Sequence, residues 1–249
     1  MLERANAFIA ANKDQVNPRY RPRFHAIQPI GWINDPNGFH FDGEYYHLFY
    51  QYYPYAAHWD SMHWGHWRSR DLVHWEDLPV AMAPDQPYDA AGCFSGTAKP
   101  DGKGGAYILY TGVSKDENEK DIQQQCLAYF DGTRIEKCSL NPVIPFEMLP
   151  EGYVRHDFRD PCLIKVADGW RAIMAAGHKD GTRLVCCSSR DLENWTYDGA
   201  FMPTVSLMPE CPDVIELDGK TVVWYSCVEC EGELTDNTRP VVYSVGDMK

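Results

Sequence analysis

Three acids stand at matching points of an internal repeat, and their types and spacing suit the cleavage of a glycosidic bond. Asp35 lies in Asn34-Asp35-Pro36, Asp160 in Arg159-Asp160-Pro161 and Glu210 in Glu210-Cys211-Pro212. Ser95, in Phe94-Ser95-Gly96, holds the same place in a fourth copy. From Asp35, Ser95, Asp160 and Glu210 to the next matched Asp is 7, 6, 8 and 8 residues. Alone, each triplet reads as an ordinary turn. In register they converge, and crowded carboxylates repel, a cost seldom kept without a use. Glycoside cleavage needs two carboxyl groups of unequal pKa. One is ionised, to attack the anomeric carbon or activate water, and the other is protonated, to release the leaving oxygen. Arg159 is expected to hold Asp160 ionised or to bind a hydroxyl. Glu210, facing an ionised Asp35, is expected to keep its proton through like-charge repulsion. Trp32, Trp59, Trp64 and Phe94 offer apolar platforms for a sugar ring, with core packing as the competing reading for some of them. Asn34, Gln51 and Ser95 offer hydrogen bonds to it.

The elements that must position these residues are short strands. One stretch reads as helix, roughly Leu2 to Gln15, with Leu2, Ala5, Phe8, Ile9 and Asn12 at helical period. Arg19 to Pro29 reads as an extended lead-in, so residues 1–30 precede the repeat and 31–249 carry it. In each copy the triplet is followed by a short strand, a turn with Asp-Gly (42–43, 101–102, 168–169, 218–219) and a very apolar strand such as YYHLFYQ or TVVWYSC. Third and fourth strands follow, and Ser69-Arg70-Asp71-Leu72 matches Ser189-Arg190-Asp191-Leu192, each with a Trp three residues on. Four antiparallel strands recurring every 50–65 residues predict an all-β chain folded as a β-propeller. The first strand of each blade should line the central channel.

Composition narrows the partner. The 249 residues carry 23 Lys+Arg and 36 Asp+Glu, a formal charge of −13. That field repels phosphate, which argues against nucleic acid and anionic membranes but not against a neutral sugar. No stretch reaches the ~20 apolar residues of a membrane span, and the N-terminus lacks the apolar run of a signal peptide. Nine cysteines, an odd number, lie mostly within apolar runs and read as buried thiols of a reducing compartment. The expectation is a soluble cytoplasmic protein.

The motifs GWINDPNG (31–38), YHLFYQ (46–51), MHWGH (62–66), SRDLVHW (69–75), CFSG (93–96), FRDP (158–161) and ECPD (210–213) together resemble glycoside hydrolase family 32, in its bacterial sucrose-6-phosphate hydrolase and invertase branch. The match runs in order from about Arg23 to Gly246. The resemblance implies a retaining β-fructofuranosidase with a five-bladed propeller followed by a β-sandwich, acting on sucrose or sucrose 6-phosphate without metal or organic cofactor. It implies Asp35 as nucleophile at C2 of the fructofuranosyl unit, Glu210 as acid and then base, and Asp160 as stabiliser of the transition state with Arg159 beside it. Asn34, Gln51, Trp59, Phe94 and Ser95 match positions lining the fructose pocket. A retaining route sets nucleophile and acid about 5–5.5 Å apart.

Two departures stand out. The family usually has a small residue after the pocket Trp, whereas Trp59 is followed by Asp60 and Ser61. An extra carboxylate at the rim bears on any preference for a phosphorylated sugar. In that register VVYSVGDMK is the third strand of a fourth blade, so the expected chain has about four blades and no sandwich, with room for a second chain on an open edge.

Other readings compete. His58, His63, His66 and His74, or Cys227 and Cys230, suggest metal ligands. Yet His63 and His66 sit at odd spacing on a predicted strand and point to opposite faces, and the Cys-x-x-Cys lacks a second pair. The acidic loop Lys115 to Asp121 reads as a solvated connection. From a different class, a sugar-binding propeller or a catalytically impaired fragment fits the same residues, as does an enzyme that passes fructosyl to another sugar.

Overall fold

The computed structural model describes residues 1–22, 25–228, 230 and 239–247. Strands β1 (Trp32–Phe41), β2 (Tyr46–Tyr53), β3 (His63–Ser69) and β4 (Trp75–Met82) form one antiparallel sheet in sequence order. The second sheet is β5 (Gly92–Pro100), β6 (Ala106–Lys115), β7 (Asp121–Phe130) and β8 (Ile135–Lys137). The third is β9 (Tyr153–Val166), β10 (Gly169–His178), β11 (Arg183–Ser189) and β12 (Trp195–Pro203). The described part of the fourth is β13 (Pro209–Leu217), β14 (Lys220–Cys227) and β15 (Val241–Gly246). These are four blades of a β-propeller, as the repeat predicts. Their first strands are neighbours at the centre, β5 beside β1 and β9, and β9 beside β13.

The second strand of each blade is very apolar because blades stack face to face. β6 and β10 are buried on both faces along most of their length, which a strand alternating polar and apolar residues could not be. The hydrophobic layers accordingly lie between blades. Phe49, Trp64 and Met82 of blade 1 pack on Ala98, Ile108 and Tyr110 of blade 2. Leu109 and Leu127 meet Leu163, Trp170 and Met174 of blade 3. Cys162, Ile173 and Leu184 meet Val214, Val223 and Tyr225 of blade 4.

Helix α1 (Leu2–Asn12), continued by one 3-10 turn to Gln15, ends its α-helical part three residues earlier than the periodicity suggests. Ala5 is fully buried, Leu2 and Ile9 join it against Tyr50, Tyr52, Trp67 and Val80, and Asn6 Oδ1 accepts the N–H of Val80 at 2.9 Å. The lead-in contains a second short turn, Pro18–Tyr20. Arg23 and Phe24, within it, lie outside the described residues, as do Met248 and Lys249.

The matched Ser-Arg-Asp-Leu turns are built alike. Ser69 Oγ accepts the N–H of Leu72 at 2.9 Å, and Ser189 Oγ that of Leu192 at 2.9 Å. Both leucines adopt positive φ, 64° and 71°. No helix among the described residues is long and apolar enough to cross a membrane.

Candidate active site

The four innermost strands each break register at the motif that the sequence singles out. The shifts fall between Ile33 and Pro36 in β1, Cys93 and Gly96 in β5, Arg159 and Cys162 in β9, and Glu210 and Asp213 in β13. A bulge inserts residues without ladder partners and re-aims their side chains, and proline, which has no N–H to contribute, is accommodated there. This is why triplets that read as turns lie inside strands. In β9 and β13 the irregularity includes two non-glycine residues at positive φ, Asp160 at 60° and Cys211 at 48°. Such backbone costs of order 1–3 kcal/mol and persists at functional sites where the surroundings impose it.

The bulges open onto a cavity of about 420 Å³, within the range of roughly 300–1,000 Å³ usual for small-molecule sites. Asn34, Asp35, Gln51, Trp59, Phe94, Ser95, Arg159, Asp160 and Glu210, the residues that the family resemblance assigns to the site, line it together. Trp32 also lines it, and its indole N–H donates to Asn34 Oδ1 at 2.9 Å. Trp64 does not serve as a platform. It is fully buried between blades 1 and 2, donating to the carbonyl of Phe94 at 3.1 Å. Trp59 stands half-exposed at the mouth and meets Phe94 edge-on, ring centres 5.7 Å apart.

Asp35 is held by neutral donors: Asn34 Nδ2 at 3.0 Å and Ser95 Oγ at 3.1 Å, both on Oδ2. Asp160 is 5% exposed, and burial pushes its carboxyl up to about 7 despite the opposing pull of Arg159 and of the Cys211 N–H, which donates to Oδ2 at 2.9 Å. The backbone N–H of Asp160 donates to Thr111 Oγ1 at 2.9 Å, tying β9 to blade 2. Arg159 has more partners than the sequence suggests. Its Nη2 donates to Glu210 Oε1 at 3.0 Å and its Nη1 to Asp157 Oδ1 at 3.1 Å, while Nε lies 3.9 Å from Asp160. The guanidinium therefore spans three acids, with its shortest contacts to Glu210 and Asp157. Glu210 thus meets a cation rather than a bare opposing carboxylate.

Asp121 and Gln123 of β7 also line the cavity and were not singled out as site residues. Asp121 ends the stretch expected as a solvated connection, but it opens β7, pairs with Lys115 at the end of β6 and faces the cavity. The histidines do not converge. His63 packs by Tyr55, whereas His66 stacks on Phe49 on the opposite face of β3 and shares a hydrogen bond with His47 at 2.9 Å. His74 pairs with Asp71 on the surface. Cys227 is buried and Cys230 partly so, while Glu229 between them lies outside the described residues. No group of three or more ligating side chains suited to a metal occurs among the described residues.

The model of the glycosyl hydrolases family 32 N-terminal domain matches residues 25–249. A sucrose-6-phosphate hydrolase of Zymomonas mobilis is 37% identical over 245 residues, covering 91% of this chain and 46% of the relative. A Bacillus subtilis levanase is 36% identical over 230 residues, covering 87% of this chain and 32% of the relative. The chain thus spans half or less of the length of these relatives. A Bombyx mori GH32 β-fructofuranosidase, solved as a mutant in complex with sucrose, superposes with a TM-score of 0.87 at 36% identity. That match covers 99% of this chain and 53% of the other.

Proposed function

Because the chain belongs to glycosyl hydrolase family 32, we propose that it carries the catalytic propeller of a retaining β-fructofuranosidase, with residues 1–30 as lead-in and 31–249 as the catalytic unit. The observation that carries this reading is the convergence of Asp35, Asp160 and Glu210 in one cavity, each delivered by a register break in a different blade.

Asp35 attacks C2 of a terminal fructofuranosyl unit. Its two hydrogen bonds fall on Oδ2, so Oδ1 is the oxygen left to form the bond. Donors without charge keep the carboxylate in place without drawing off its nucleophilicity as a cation would. Glu210 gives a proton to the departing sugar oxygen and then takes one from water, which returns Asp35 to its starting state. Arg159 fixes the Glu210 carboxylate in position between these steps. Asp160, held near neutrality by burial, both donates to and accepts from fructosyl hydroxyls, contacts that strengthen as positive charge develops on the ring. Trp59 and Phe94 give the sugar an apolar wall, with Asn34, Gln51 and Ser95 as polar partners.

Sucrose, bound in the Bombyx mori structure, is the first substrate to try, with sucrose 6-phosphate second. The nine free cysteines support a reducing, cytoplasmic setting. The outer flank of blade 4, where Val241, Tyr243 and Val245 are exposed, supports a second polypeptide surface seated there. The deciding assay is fructose release by the chain and by Asp35→Asn. A folded wild-type chain that binds sucrose and releases no fructose would make this a sugar-binding propeller instead.

A further inference from the structure

Arg159 is the one arginine or lysine among the described residues lining the cavity, and carboxylates of the chain already surround it: Asp157 at 3.1 Å, Glu210 at 3.0 Å and Asp160 at 3.9 Å. Farther along β9, Arg155 is drawn to Glu147 at 3.6 Å and lies over the ring of Phe146, and His156 meets Asp157 at 3.7 Å. Lys115, at the end of β6, is paired with Asp121. A phosphate arriving at this side of the mouth finds these cations matched to acids and no guanidinium fork open to receive it.

On the blade 1 side of the mouth the charge next to the aromatic wall is a carboxylate, with Arg4 farther out over the ring of Tyr55 at 5.1 Å. Asp60 directly follows Trp59, the aromatic that forms the cavity wall with Phe94. Its carboxylate is exposed yet fixed: Oδ1 accepts the backbone N–H of Ser61 at 2.7 Å. Tyr53, the β2 residue paired with Trp32, lies close enough that Asp60, after burial, helps to raise its phenol.

We infer that Asp60 is a specificity-determining residue, a fixed charge at the mouth that admits an uncharged leaving-group sugar and disfavours a phosphorylated one. This rests on the fructosyl-cleavage reading and sharpens its substrate class. A sugar phosphate carries up to two negative charges, and like charges brought together at an interface are a means of rejecting the wrong partner. The chain would then differ in preference from the relatives named for sucrose 6-phosphate.

The test compares kcat/KM for sucrose and sucrose 6-phosphate in the wild type, Asp60→Asn and Asp60→Gly, at low and high salt. The wild type should favour sucrose by about tenfold or more at low salt, and added salt should narrow the gap. Both variants should raise kcat/KM for the phosphorylated sugar about three- to tenfold, mostly through KM, while sucrose moves less than about twofold. Faster cleavage of sucrose 6-phosphate by the wild type overturns the inference, as does an equal change on both sugars in the variants. If neither sugar is cleaved, the reaction reading fails, and calorimetric binding of the two sugars to the same proteins decides the charge effect. Tighter binding of sucrose, with the gap closing in Asp60→Asn, upholds it; equal binding or none overturns it.

Discussion

The two walls of the cavity hold their acids by different means. On the wall of blades 1 and 2, Asp35 rests on an amide and a hydroxyl, both neutral and both on one oxygen. On the wall of blades 3 and 4, Arg159 joins Glu210 and Asp157, with Asp160 buried alongside on a backbone at positive φ. The first arrangement keeps a carboxylate available for attack at small energetic cost. The second buries Asp160 and most of Arg159 beside two partly exposed acids, which costs desolvation and strain and makes protonation states depend on one another. The site thus sets an acid held by neutral donors apart from acids held around a cation.

Substitutions on either wall should break this contrast in graded fashion. The largest effect belongs to Asp35→Asn, which removes the nucleophile from the neutral wall. Fructose release from sucrose should fall by at least about 10⁴-fold, with a melting temperature close to wild type. On the charged wall, Arg159→Ala leaves three acids without their countercharge. It should cost about 10²–10³-fold in kcat/KM and displace the pH–rate profile, while Arg159→Lys restores the charge without the two-pronged contact and recovers only part.

Asp160→Asn probes stability on that wall. The Asp160 carboxyl titrates at about 7 in the fold and at about 3.9 in an unfolded chain. Between these values the native state holds a proton that the unfolded state has released, so stability falls as pH rises across the window and levels off above it. Asp160→Asn removes that slope while keeping an oxygen for the Cys211 N–H. It should therefore melt higher than the wild type near pH 8, by a few kcal/mol at most, and the difference should close near pH 4, while activity is lost. The smallest effect is Ser95→Ala, which removes one of two neutral donors to Asp35. A three- to tenfold loss in kcat is expected, matching about 1 kcal/mol for one hydrogen bond. A loss as large as that of Arg159→Ala would erase the distinction between the walls.

Much of this was legible in the sequence because a repeat supplies its own alignment. Four copies in register located Asp35, Ser95, Asp160 and Glu210 as equivalents, and one cavity receives all four. The register breaks were not legible, since Asn-Asp-Pro spells a turn locally and only pairing with β2 reveals a bulge. Adjacency in sequence pointed Arg159 to Asp160, which its Nε approaches at 3.9 Å, but could not show that its other nitrogens reach Glu210 on β13 and Asp157. Trp64 and Trp59 are indistinguishable by type. What separates them is that β3 lies inside the blade 1–blade 2 layer while Trp59 belongs to the loop at the mouth. Asp121 reads as the end of a solvated loop because its run of charges hides that it opens β7 and faces the cavity.

The placement of the hydrophobic layers between blades makes each blade's stability a nearest-neighbour quantity. Among the described residues, blades 2 and 3 are packed from both sides, whereas blade 4 shares one hydrophobic layer and exposes Ile215, Leu217 and Tyr243. Amide hydrogens of β6 and β10 should accordingly exchange at the slow limit set by global unfolding, and those of β14 and β15 through partial openings. Glu210 enters the cavity from that more weakly clamped blade. The proposed proton donor is thus mounted on a blade that shares one hydrophobic layer among the described residues, and the proposed nucleophile on a blade that also packs against α1.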